Sequence, residues 1–268
     1  MANLILCEPS LSDAGALYGT GSNPAATPWT NLQLMQPKEV WETDGVTTAK
    51  TQLSIDLGAS ASYDTFALLF TNASAAATWT ISNSTAPSSG FTDLVTSATF
   101  RAAGQTGYTR THALYKHAST QTRQFVKLAI SDTGNAEGVF RAGRLYVCKA
   151  YSPTVNASYG LALGFDDLAL GQVVTSAGER ITRRNDPIPI LSFTLAANGS
   201  AAWAEVQDNL FELMRKRSAS RDVMAVVDPA DASYLGRLIH YGTLQQRLAI
   251  ALPAYQFFQS SFELTGLV

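Results

Sequence analysis

The sequence predicts a mainly β protein in two parts: an N-terminal β-sandwich over residues 1–150 and a C-terminal β-barrel or sandwich with one packed α-helix over 151–268. Three observations predict it. Short runs of aliphatic and aromatic residues alternate with polar ones and are separated by Gly- and Ser-rich turns. A single stretch, about 201–217, carries apolar residues at helical spacing. The composition changes at Tyr151-Ser152-Pro153, which reads as a hinge.

The elements follow in order. Residues 2–7 (ANLILC) form a short apolar strand, and 8–31, rich in Gly, Ser, Asn, Pro and Thr, read as a long loop. Thr51–Leu57 alternates, placing Leu53, Ile55 and Leu57 on one face, and Gly58 ends it. Tyr63–Thr71 reads as a central strand. Ala77–Ser82, Arg123–Ser131 and Gly143–Val147 supply further strands, with a turn over Asn83–Gly90. In the second part, Leu161–Leu170, Gly171–Thr175 and Pro187–Leu195 offer strands. Ser200 is placed to cap the helix, whose apolar face is Trp203, Val206, Leu210, Leu213 and Met214. Val223–Val227 is a strand, Tyr234–Tyr241 and Leu244–Ile250 read as a pair around Gly242, and Tyr255–Leu264 is a last aromatic strand.

Composition limits the function. The 268 residues are 46% hydrophobic, enough for two cores, but only 15% charged. Such a surface loses little desolvation energy when buried against a neighbour, which suits a subunit of an assembly or a binding domain. The net charge of −2 argues against general nucleic-acid binding, which needs clustered phosphate-contacting Lys and Arg. No stretch reaches the roughly 18 apolar residues of a membrane span, and the first residues lack the pattern of a signal peptide, so assembly in a cytoplasm is expected. Cys7 and Cys148 fall in the first and last strands of the first part. A bridge between them is geometrically conceivable, and two buried thiols are the expected state in a reducing compartment.

The residues give little support to catalysis. The histidines are His112, His117 and His240, no G-x-S-x-G elbow is present, and both cysteines sit in apolar strands. Asp166-Asp167 are neighbours in a turn and their side chains need not converge. No zinc-ligand spacing or Asp-x-Asp-x-Asp-Gly series occurs, so no cofactor and no metal is expected.

Trp41, Ile55-Asp56-Leu57-Gly58, the strand ending in Phe70-Thr71-Asn72-Ala73, Trp79-Thr80-Ile81 and Gly143-Arg144-Leu145 stand in the order and spacing of one family. Over roughly 1–150 the chain resembles the discoidin or coagulation-factor type C family, the galactose-binding-like jelly roll. The resemblance implies ligands on loops at one end of the sandwich, with Trp29, Arg110, His112 and Tyr115 as candidate carbohydrate-binding residues. The competing reading packs Tyr108, His112 and Tyr115 at a strand edge. Some members hold calcium near loops such as those of Asp13, Asp44 and Asp132. Asp56 reads as a carboxylate that accepts backbone N–H groups at the turn after Gly58.

The second part is similar, in element order and not in motif, to the ring domain of siphophage distal tail proteins. That similarity implies a structural virion protein of a bacteriophage tail tip or baseplate, assembled in the host cytoplasm. It would form a homo-oligomeric, hexameric ring beside tail-tube and hub proteins, with host glycans as a further partner and no nucleic acid or membrane insertion. Arg180, Arg183 and Arg184 are then candidates for the subunit interface. The alternative is a free-standing carbohydrate-binding, lectin-like module. Fold analogy alone does not decide between them.

Overall fold

The computed structural model describes residues 3–19, 24–157, 161–166, 173–174, 180–181, 187–198, 202–216, 221–244, 250–254 and 257–267. The strands in chain order are β1 (Ile5–Cys7), β2 (Ala16–Tyr18), β3 (Trp41–Glu42), β4 (Gln52–Thr71), β5 (Thr78–Ser84), β6 (Thr92–Thr99), β7 (Thr111–Ser131), β8 (Arg141–Ala142) and β9 (Arg144–Cys148). There follow β10 (Ala162–Asp166), β11 (Val173–Val174), β12 (Arg180–Ile181), β13 (Ile188–Asn198), β14 (Asp222–Val226), β15 (Ile239–Leu244), β16 (Ala251–Ala254) and β17 (Phe257–Gly266). The chain is mainly β, as the sequence predicts. It packs as two units, Met1–Ser152 with Asp222–Ile239, and Pro153–Arg221 with His240–Val268.

The first unit is built on two long strands, β4 and β7, that each serve two layers. The first half of β4, Gln52–Asp56, pairs with Phe125–Ala129 of β7 and with β2. The second half, Thr65–Thr71, pairs with Thr111–Lys116 and, over Thr65–Leu69, with β9. Register breaks between Asp56 and Ala61 and again between Tyr63 and Thr65, where the paired ladder is redirected. β5 adds to the later half of β7 and carries β6 at the edge. Alternation then turns one face of each segment into a shared core: Leu53 and Ile55, Phe66 and Leu68, Trp79 and Ile81, Val126, Leu128 and Ile130, Leu145 and Val147. A run of edge-on ring contacts, Trp79–Phe100–Phe140–Trp41, with centroids 5.1, 5.7 and 5.9 Å apart, seals its end.

Residues 8–31, expected to be a loop, are more ordered than their composition suggests. Ser10–Ala14 forms a short helix, α1, then comes β2, and Trp29–Gln33 is a 3-10 turn. Local propensity is overridden by long-range partners. Gln33 donates to the carbonyls of Ser12 and Gly15, both at 2.7 Å. Asp13 meets Arg144.

Arg144, only 1% exposed, uses all five of its N–H donors. Nε and Nη2 reach Asp222 at 2.8 and 3.1 Å, Nη1 and Nη2 reach Asp13 at 2.7 and 3.0 Å, and Nη1 also reaches the Leu32 carbonyl at 3.1 Å. Tyr146 donates its hydroxyl to Asp222 at 2.7 Å. Asp222 opens β14, which pairs with β1 through Ile5–Val226, Leu6–Ala225 and Cys7–Met224. The expectation of a single boundary near Tyr151 therefore fails for one segment: Asp222–Ile239 returns to the first unit because a buried guanidinium and an edge strand both need it.

Cys7 and Cys148 are both buried and free. The thiol of Cys148 is pushed well up, first by a hydrogen bond with Cys7 and then by burial, so the two lie side by side unbridged.

In the second unit an antiparallel sheet runs β15–β17–β13–β10, with β16 also on β17. Phe193 and Phe262 stack at 5.1 Å across β13 and β17. The expected helix is present as Ala202–Glu205, α2, then a π-turn over Val206–Phe211, then Glu212–Lys216, α3. Its expected apolar face is buried at Val206, Leu210 and Leu213, while Ser200 lies outside the described residues. Gly242 does not turn a hairpin as expected. It lies inside β15, opposite Gly266, where a Cβ would stand 1.9 Å from the Thr265 carbonyl oxygen. The glycine serves close backbone approach instead.

The Asp222 carboxylate yields a two-part test. Burial pushes its carboxyl up, but the charge of Arg144 and the hydrogen bonds from Arg144 and Tyr146 outweigh it and hold the group below its ordinary 3.8. A lowered folded value gives stabilisation that is complete above the unfolded value and is lost as pH falls through the folded one. Asp222→Ala should cost about 3–5 kcal/mol in urea unfolding at pH 7, because it strands a buried guanidinium. Asp222→Asn should be less stable than the parent at pH 7 yet lose less further stability below about pH 4. A parent and Asn variant with parallel pH profiles would refute this role.

Candidate functional site

At one end of the sandwich the loops 72–77, 100–110 and 132–140 gather, because β4 ends there, β6 ends there, and β7 begins there before returning. Two of these loops are locked by side chains. The buried Asp132 carboxylate accepts the Ser74 amide and hydroxyl and the Asn135 amide group. Asn72 donates to the Val139 carbonyl at 2.9 Å and accepts the Arg141 amide at 2.8 Å.

The third loop holds a cleft of about 260 Å³ lined by Ala75, Arg101 and the backbone-rich run Ala102–Gly107. Phe100, buried at the loop's start, anchors it in the aromatic seal. The Ala102 amide donates to the His112 carbonyl at 2.9 Å and closes the loop's stem. Inside the stem sits Gln105, 2% exposed. Its Nε2 donates to the Ala102 and His112 carbonyls, both at 2.9 Å, and its Oε1 accepts the His112 amide at 2.7 Å. One buried amide thus replaces the strand ladder the loop lacks.

The segment Asp222–Ile239 forms the loop's other wall. Gly236 donates to the Ala103 carbonyl at 2.8 Å and Arg237 Nε to the Gly104 carbonyl at 2.9 Å. Gly104, at φ +81°, lies so close that a Cβ would be 2.9 Å from Tyr234 Cα, and a Cβ on Gly236 would be 2.3 Å from Gln105. Tyr234 is set by Asp231, whose carboxylate accepts the amides of Ser233 and Tyr234 at 2.7 and 2.6 Å. Its ring is 54% exposed, and Tyr108, next to the cleft-lining Gly107, is 51% exposed. The Arg237 guanidinium lies 5.5 Å from the Tyr234 ring centre.

The sequence-predicted residues divide. Tyr115 is partly buried against Phe66 and donates its hydroxyl to the Leu94 carbonyl at 3.0 Å. His112 supports Phe70, which holds a left-handed φ of 57°: the Phe70 amide donates to His112 Nδ1 at 3.2 Å and the rings meet edge-on at 5.0 Å. Trp29, in the 3-10 turn, packs against the core. These three are committed to packing, whereas Arg110 is exposed as the cleft loop leads into β7. Arg180 falls in β12, and Arg183 and Arg184 lie outside the described residues. Of the acidic residues named for calcium, Asp13 pairs with Arg144, Asp44 with Lys50 at 3.1 Å, and Asp132 with the loop donors above. Among the described residues no three His, Cys, Asp or Glu side chains gather into a metal site.

Tyr234, Arg237, Gln105 and Arg101 were missed. The sequence around Tyr234 reads as a strand only if Asp231 and Gly236 are ignored. An acceptor two and three residues ahead, with a glycine two residues behind, is the local sign of a turn.

Changing Gly236→Ala should push Gln105 out of its three hydrogen bonds. A loss of about 1–3 kcal/mol in unfolding free energy is expected from such overpacking, together with shifted amide signals across residues 102–112. Unchanged stability and unchanged spectra would remove Gln105 as the loop's support.

No family model matches the chain, and no curated protein matches it. Solved structures are similar to it over about half its length. The family 32 carbohydrate-binding module of NanJ from Clostridium perfringens, in complex with galactose, is 15% identical with a TM-score of 0.41, covering 53% of this chain and 98% of that one. The chitosan-binding module 1 of a chitosanase/glucanase from Paenibacillus sp. IK-5 is 12% identical with a TM-score of 0.39, covering 50% and 94%. A family 29 fucosidase of Ruminococcus gnavus in complex with fucose is 14% identical with a TM-score of 0.40 over 52% of this chain, which spans only 26% of the fucosidase. The distal-tail expectation for the second part rests on element order in the sequence alone.

Proposed function

We propose that the first unit is a non-catalytic glycan-binding module that receives its ligand at the loop end of the sandwich. One observation carries this reading: Tyr108 and Tyr234 stand 51% and 54% exposed beside a cleft lined mostly by small residues. Large aromatic rings held in the open on two braced segments offer flat apolar faces for the C–H face of a sugar, and Arg101 offers hydrogen bonds to its hydroxyls. The test is a glycan array followed by calorimetry. Tyr108→Ala and Tyr234→Ala should each weaken a positive ligand roughly tenfold, the loss of one ring contact on the order of 1–1.5 kcal/mol. Binding that survives both substitutions, or an array with no positive glycan, would end this reading.

A second reading is favoured by β10. All five of its residues are exposed, Phe165 at 74% and Leu163 at 48%, and among the described residues it stands at the sheet edge with β13 on one side. A free strand edge is a template for pairing with another chain. In this reading the protein is a structural subunit of a bacteriophage tail tip, and a second copy of the chain adds to β10 as a homo-oligomeric ring forms beside tail-tube and hub proteins. Purified protein should then show rings in negative stain, and Phe165→Lys should reduce the oligomer at least tenfold in concentration dependence while leaving glycan binding intact. A strictly monomeric protein at about 100 µM, well above the Kd of a weak specific interface, would exclude it.

A further inference from the structure

The charges around the cleft are unevenly committed. Asp132 is turned to Ser74 and Asn135, Asp231 accepts two backbone amides on one oxygen, and Glu137 is ion-paired with Arg141. Asp228 is buried and accepts the Ala230 amide at 3.1 Å. Three guanidiniums are not so committed. Arg101 lines the cleft and Arg110 leaves the same loop, and neither has an ion-pair or hydrogen-bond partner among the described residues. Arg237 spends its Nε on the Gly104 carbonyl, which fixes the side chain beside the cleft loop, and its two terminal nitrogens have no hydrogen-bond or ion-pair partner among the described residues. In a chain with only 15% charged residues, three arginines beside one loop with no ion-paired acid are charged donors still available to a ligand.

We infer that the cleft takes an acidic saccharide, with the sugar against Tyr108 and Tyr234 and its carboxylate met by Arg101, helped by Arg110 and Arg237. A guanidinium is planar, always charged and presents paired donors that match a carboxylate's two oxygens. Arg237 is oriented before any ligand arrives, so less freedom is lost on binding. A neutral sugar would satisfy the tyrosines and leave the arginines to water. An extended polyanion such as nucleic acid would need a longer basic track than three residues at one loop.

This inference rests on the glycan-binding reading and is tested apart from it with matched ligands. The full chain is titrated with 3′-sialyllactose against lactose, and with oligogalacturonate against a neutral galacto-oligosaccharide of equal length, alongside an array of acidic and neutral glycans. Acidic members should bind at least tenfold more tightly, with the preference shrinking as salt rises. Arg101→Gln should bring the preference close to one, weakening acidic ligands at least tenfold more than their neutral counterparts, with the unfolding midpoint unchanged. Arg110→Gln, a change at an exposed position, should reduce the preference in part. Equal binding of acidic and neutral glycans would overturn the acidic ligand and leave the glycan module standing. Acidic preference untouched by Arg101→Gln and Arg110→Gln together would overturn the site. No binding of any glycan would remove both proposals, and binding of oligonucleotides with equal affinity would replace the saccharide with a polyanion.

Discussion

The first unit depends on one buried cation. Arg144 sits on β9 beneath the sandwich surface with every N–H donor occupied, and it gathers Asp13, Leu32 and Asp222 from segments up to 131 residues away. Taking a guanidinium out of water costs several kcal/mol unless it is fully paired. Two carboxylates and a carbonyl meet that condition, and the Tyr146 hydroxyl donates to the Asp222 carboxylate in turn. Attraction of this kind adds little net stability compared with an apolar core of equal volume, but it is highly selective. A fold in which α1, the 3-10 turn or β14 took another position would leave the charge stranded.

That selectivity explains how a segment distant in sequence comes to wall a loop of the sandwich. Asp222 fixes the start of the returning segment, the β1–β14 ladder fixes its direction, and the Val227 amide bonded to the Leu238 carbonyl closes its far end. What lies between, Asp228–Arg237, is held short and delivers Gly236 against Gln105 and Tyr234 beside Gly104. The cleft is therefore made by two stretches of chain that no local pattern joins.

The division between what could and could not be read from the sequence follows the range of the interaction. Periodicity identified the buried faces of β4, β5, the later half of β7 and β9, because alternation is local. Asp56 was also readable: its carboxylate accepts the Gly58 amide at 2.8 Å, with Gly58 at φ +77°, as a short acid before a glycine turn should. The earlier half of β7 escaped because Thr111, Ala113 and Tyr115 alternate with few large aliphatic residues to mark them. Nothing local shows that Arg144 is buried, since its partners lie 78 and 131 residues away. Gly242 was misread for the reverse reason. Glycine signals both turns and close backbone contact, and only the neighbour, here Thr265, distinguishes them.

The same reasoning separates the two groups of candidate ligand residues. His112, Tyr115 and Trp29 were attractive because their side chains suit sugars, yet each is committed to packing or to a backbone partner, so engaging a ligand would dismantle local structure. Tyr108, Tyr234, Arg101 and Arg110 make few internal contacts that a ligand would have to break, while the backbone beneath them is over-determined by Gln105, Gly104 and Gly236. Binding sites need both properties at once: a rigid base that loses little entropy and reactive surface not already spent on the fold. On this surface, poor in charge, the loop end of the first unit is where the two coincide.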